Sequence, residues 1–172
     1  MNLMKTPTQP LTTAGAGGIA TSLPGRQNPA SSVFGRVLDY TTRQRIEFVN
    51  LTERLEQLVA ESGIRDGIAV VQSLHSTAAV FVNEWQNALL DDFRALLEEA
   101  VPANAQWRHN DPRYSECNRG NAASHLRALL LGASAVMAVR DGRVVRGVWQ
   151  SIILAELDGP RTRSVSLQIL GG

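Results

Sequence analysis

Three histidines are the side chains in this chain best suited to chemistry: His75, His109 and His125. They share no HExxH-type spacing, so only the fold could bring them together. Their neighbours are polar. Ser76 and Thr77 follow His75, and Asn83 and Glu84 lie a short way beyond. Asn110 and Asp111 follow His109, and Asn121 precedes His125 by one helical turn. Groups of this kind orient an imidazole and fix its tautomer. Two chemistries are open. Three histidines from separate elements with a free fourth position form the catalytic zinc arrangement, in which a metal activates water or polarises a carbonyl or phosphoryl oxygen. Without a metal, one or two imidazoles titrating near ~6.5 serve as acid and base.

A second set of groups lies near the C-terminus. If residues 148–157 form one strand, Gln150, Ile152, Leu154 and Glu156 share a face. A carboxylate and an amide on an apolar face need partners, so Glu156 is a candidate ligand, base or substrate anchor. The turn that follows carries Asp158, Arg161 and Arg163, and its arginines could clamp a phosphate.

Other chemistries are excluded. Lys5 is the only lysine, and it sits near the N-terminus, which removes Schiff-base catalysis and a Walker A loop. Cys117 is the only cysteine, so there is no intrachain disulfide and no Cys-rich zinc site. A net charge of +1 argues against a nucleic-acid partner. No apolar run reaches the ~18 residues of a membrane span, and the default location is the cytoplasm.

The elements that must position these groups follow from periodicity. Strands are expected at 33–40 and 45–49. A helix capped by Asn50 or Thr52 should bury Leu51, Leu55, Leu58 and Val59 and end at Gly63. Residues 68–82 are β-rich, as one bent strand or two. A second helix, 86–100, places Leu89, Phe93, Leu96, Leu97 and Ala100 on one side. Residues 103–120 form a long polar loop. A third helix, 121–131, turns Ala122, Leu126, Leu129 and Leu130 inward. Strands at 135–140 and 143–146 flank the Asp141-Gly142 hairpin signal, and 148–157 and 164–170 complete a mixed or antiparallel sheet. Strands and about three helices in this order are α+β, not alternating βαβ. Residues 1–30 lack aromatic and acidic residues and read as a disordered extension, leaving 31–172 as one domain.

The segments HSTAAVFVNE, RHND, GNAASHLRALLLG, DGRVVRGVWQ and ELDGPRTR occur in this order from His75 to Arg163. In them the chain resembles the YjbQ family, often described as secondary thiamine-phosphate synthases. The resemblance implies an α+β fold, a homotrimer, a cytoplasmic location and a polar pocket in which His75, His109 and His125 hold a divalent metal, Zn or Mg. Asn83, Glu84, Asp111, Gln150 and Glu156 also fall on its motif positions. Joining a pyrimidine diphosphate to a thiazole phosphate would call on Arg108, Arg161 and Arg163 for the phosphates. The expectation is therefore a transferase acting on a phosphorylated small molecule. Glu156, Asp111, Glu84 and Gln150 would assist the chemistry, and Asn83 and Asn121 would contact the substrate. The alternative is a trimeric metal- or anion-binding module without turnover.

Overall fold

Alternating apolar and polar residues sort this chain into two antiparallel sheets, and a computed structural model describes residues 32–172. The expected N-terminal extension lies outside the described residues. In chain order the elements are β1 (Ser32–Thr41), β2 (Glu47–Asn50), α1 (Thr52–Ser62), β3 (Gly67–Ser73), β4 (Ala78–Asn83), α2 (Asn87–Ala100), α3 (Ala122–Leu131), β5 (Ser134–Arg140), β6 (Arg143–Val145), β7 (Ser151–Glu156) and β8 (Thr162–Gly171). Five strands form one sheet in the order β1-β8-β3-β5-β6, and three form the other in the order β2-β7-β4. Strands and helices are segregated as expected of an α+β fold. No described helix is long and apolar enough to cross a membrane.

The smaller sheet is the middle layer. Ile152 and Leu154 of β7 face the larger sheet, in a core with Val71, Leu167, Ile169, Leu51 just before α1 and the α1 residues Leu55 and Leu58. Ile153, Ala155 and Leu157 face the other way, toward Leu90 and Leu97 of α2 and Ala128 of α3. A strand buried on both faces reads as a continuous apolar run, and β7 does. Phe48, Phe81 and Phe93 meet edge to face in this second core, with ring centroids 5.7–6.3 Å apart.

Several local signals act as expected. Gly63 adopts φ +69° and ends α1. Asp141 and Gly142 both take positive φ, the geometry of a two-residue hairpin turn. The β-rich segment 68–82 is two strands, and His75 sits in the turn between them.

Three expectations are corrected. The strand expected over 148–157, β7, begins at Ser151, because residues 148–150 form an exposed loop in which Gly147 N–H donates to Gln150 Oε1 at 2.8 Å. On α2, Leu90 and Leu97 are the buried residues while Leu96 is exposed. On α3, Leu129 and Leu130 face outward and Arg127 is buried. Arg127 turns inward because its guanidinium donates to the Val101 carbonyl, at 3.1 and 2.7 Å, and to Glu98. It thereby ties α3 to the end of α2.

Candidate functional site

The β3–β4 turn, the start and middle of α3 and the β7–β8 turn converge at one end of the middle sheet. Each has a local reason to hold its shape. Ser73 Oγ bonds within the turn that carries His75. Asn110 Oδ1 accepts the Ala122 N–H at 2.9 Å and so starts α3 from the preceding loop. The β7–β8 turn is built on Glu156, which is fully buried. Its carboxylate accepts from Arg163 Nε at 2.7 Å, Arg163 Nη2 at 2.5 Å, the Asp158 N–H at 2.7 Å and Thr42 Oγ1 at 3.0 Å. Burial pushes the Glu156 carboxyl upward, but these donors outweigh it and hold it below its ordinary value.

Arg163 carries the constraint onward. It is buried, and its Nη2 also reaches Thr77 Oγ1 at 2.9 Å. The next residue, Ser164, donates its backbone N–H to His75 Nε2 at 2.8 Å. A backbone amide can only donate, so Nε2 is an acceptor and the neutral His75 ring carries its proton on Nδ1. Desolvation and the nearby Arg163 charge lower the His75 pKa, against Glu156 and Asp39, which raise it.

His125 is fixed in a complementary way. Desolvation and His109 lower its pKa, while Asp158 and a hydrogen bond to the Ser76 backbone raise it. A ring nitrogen of His125 donating to the Ser76 carbonyl would account for that upward contribution and would leave the other nitrogen as the acceptor of the neutral ring. His109 lies edge to face on His125, with centroids 5.1 Å apart. Its Nδ1 is 3.4 Å from Ser115 Oγ, and its buried Nε2 has no hydrogen-bond partner among the described residues.

His125 stands between two grooves. One, of about 360 Å³, is lined by His75, Ser76, His125, Leu129 and Gly132. The other, of about 380 Å³, is lined by Trp107, Arg108, His109, His125 and Leu126.

The remaining candidates divide. Asn121 is buried beside the site and donates to Asp158 Oδ2 at 2.9 Å. Arg161 donates to the Asp158 carbonyl and carboxylate at 2.9 and 3.2 Å. Asp111 is turned to Arg113 in a two-pronged pair, which lowers its pKa. Asn83, Glu84 and Gln150 are elsewhere. Asn83 pairs with Ser151 at the far end of β4, where Ala78 pairs with Glu156 at the near end. Five residues of strand put the two ends ~17 Å apart. Sequence reasoning missed the Ser164 amide, the Ser76 carbonyl and Ser115. Two of these are backbone groups with no signal in residue type, and the third lies in an aperiodic loop.

The expected metal centre is corrected. Among the described residues, no three His, Cys, Asp or Glu are grouped so as to hold a metal ion. The geometry gives the reason. The Nε2 of His75 is occupied by an amide proton, and His109 and His125 meet edge to face rather than converging on one point.

Comparison with known proteins fits this fold. The family model described as UPF0047 protein YjbQ-like matches residues 36–172. A UPF0047 protein of Methanothermobacter thermautotrophicus is 42% identical over 139 residues, 81% of this chain and 93% of its own length. The UPF0047 protein YugU of Bacillus subtilis is 34% identical, covering 79% of this chain and 98% of its own. A crystal structure of a YbjQ-like protein of unknown function from Sulfolobus solfataricus superposes with TM-score 0.77 at 38% identity, over 83% of this chain and 99% of that one. These relatives are described only as UPF0047 proteins or as a protein of unknown function, with no thiamine-phosphate synthase, transferase or zinc protein among them. The expectation of a metal-dependent enzyme making thiamine phosphate, and its metal- or anion-binding alternative, are corrected accordingly. With a matching family model over most of its length and relatives above one-third identity, the chain belongs to the UPF0047 YjbQ-like family.

Proposed function

We propose that the His75–His125 groove is a metal-independent acid–base site for a small polar molecule. The observation that carries this reading is the Ser164 N–H bond to His75 Nε2, which leaves Nδ1–H as the ring's donor. His125, anchored through Ser76, supplies the acceptor nitrogen. A donor and a proton acceptor on one groove are what proton abstraction next to a polarised oxygen requires. The lowered pKa values keep both rings neutral at neutral pH, the state in which each role is available.

The test is exchange of the α-protons of dihydroxyacetone with D2O, followed by proton NMR. This probe reports proton transfer and nothing else. The wild-type chain accelerates the exchange. His125→Ala reduces it at least ~100-fold, the usual contribution of a general base. The rate rises with pH through a value below 6.5 and is flat above it. Exchange that is equally fast in His125→Ala, or a His75 side chain whose nitrogen shifts place the proton on Nε2, would sink the reading.

A further inference from the structure

We propose that the substrate of the His75–His125 site carries an uncharged aryl group, held in the second groove beside His125. The inference rests on the acid–base reading above and names the class of molecule that site serves. His125 lines both grooves, so a molecule reacting at its ring can reach into each. The second groove, of about 380 Å³, is lined by Trp107, Arg108, His109, Ala122, His125 and Leu126. Benzene fills a cavity of ~150 Å³, so a phenyl ring fits this groove with room for its attachment.

The lining favours a flat ring over an alkyl chain. Trp107, His109 and His125 are aromatic, and the Arg108 guanidinium also prefers a ring face. His109 and His125 already stand with their planes at 88°, a corner that offers a third ring both an edge and a face. Trp107 is a fixed wall. Its Nε1–H donates to the Pro102 carbonyl at 3.0 Å, so the one polar group of the indole is used within the loop. A preformed wall costs little ordering when a ligand binds. Leu126 and Ala122 of α3 complete an apolar lining. Among the described residues, no carboxylate lines the groove, and the Arg108 guanidinium lies over the Tyr114 ring, 5.0 Å from its centroid. A charged substituent would be costly to bury there, and a cation would have no partner.

A hydroxymethyl ketone with an aryl group on its carbonyl suits both grooves. His125 takes a proton from the hydroxymethyl carbon. The pair of that C–H bond forms a carbon–carbon double bond as the carbonyl π pair moves to oxygen, which accepts a hydrogen bond from His75 Nδ1–H. Solvent replaces the proton on His125 with deuterium, and the reverse step returns it to carbon.

The test compares phenacyl alcohol with dihydroxyacetone and with the cyclohexyl counterpart of phenacyl alcohol, as exchange in D2O on the full chain. Relative to uncatalysed exchange, kcat/KM is at least ~10-fold higher for the aryl ketone than for either comparison, the scale on which an apolar pocket discriminates. Leu126→Asn reduces the preference for phenacyl alcohol over dihydroxyacetone, and Trp107→Leu reduces the preference for phenyl over cyclohexyl. Benzyl alcohol, which has no ketone, reads binding alone. It shifts the Trp107 indole and Leu126 amide resonances of the wild type in proton–nitrogen correlation spectra. Dihydroxyacetone exchange without an aryl preference overturns the aryl groove and leaves the acid–base reading standing, and so do equal rates for the phenyl and cyclohexyl ketones. Benzyl alcohol shifts at Trp107 and Leu126 with no exchange of any ketone support the groove and remove the acid–base reading. Absence of those shifts overturns the inference whatever the rates.

Discussion

A backbone N–H has one role in a hydrogen bond, and at His75 that role settles which ring nitrogen carries the proton. The histidines were legible in the sequence as chemical residues, but their tautomers were not. The group that sets the His75 tautomer, the Ser164 amide, belongs to every residue type alike. Glu156 was legible as a buried carboxylate in need of partners. What could not be read is that Arg163, seven residues on, takes two of its lone pairs, so the pair holds the turn together. Two predictions belong to this scale. His75 and His125 both sit below the ordinary histidine value of 6.5 in the folded chain. The unfolded chain therefore binds more protons as pH falls through that value, and folding stability drops between pH 7.5 and 5.5. Urea midpoints at the two pH values read this, and His75→Gln should shrink the difference. Arg163→Met should leave the Glu156 carboxylate buried without its partner and cost ~3–5 kcal/mol. The double variant Arg163→Met with Glu156→Met should recover much of that loss in chemical denaturation. If the double variant is the worse of the two, the pair is not acting as a buried ion pair.

At the scale of elements, every expected strand and helix is present, with ends displaced by a few residues. Periodicity within a segment reports its length and type well. The sequence was less informative about which way a helix turns. The α3 sequence offers two apolar stripes, and Leu129 and Leu130 make the exposed one look like the core stripe. The choice is made by a tertiary partner, the Val101 carbonyl at the end of α2, which only a long cation on the opposite stripe can reach. Arg127→Met should leave that buried carbonyl unpaired and cost about 1–3 kcal/mol. Thermal unfolding should show the loss. Hydrogen exchange should show it concentrated at the amides of the last turn of α2, Leu97 to Val101. Uniform loss of protection across the chain would mean that Arg127 supports the whole core and not this junction. The site expectations divide in the same way. Residues on elements that meet at one end of β7 are together, and Asn83, Glu84 and Gln150 are apart because β4 and β7 carry them to the other end.

For the whole molecule, the α+β class follows from the order of elements, and the helices lie where the sequence puts them. The partition into two sheets was not legible. All strands alternate or run apolar in ways that either sheet could accept, and register depends on partners remote in sequence. The unbroken apolar run of β7 was the one signal, since a strand buried on both faces must lie between two layers.

The place of β8 in the larger sheet has a consequence for how the chain is made. β1 and β3 are not paired with each other. Both pair with β8, and β1 has no other neighbour among the described strands. On the ribosome, β1 emerges first of the described strands and β8 last. Until β8 follows, β1 has no partner among the described strands, while the segment from β2 to β7 can already assemble the middle sheet. Contacts between strands as remote in sequence as β1 and β8 form slowly, because their loop entropy is lost before any bond is gained. The ten-residue β8 is thus a closing piece. Until it leaves the exit tunnel, the edges of β1 and β3 that it will join stay unsealed, open to the chaperones around the nascent protein.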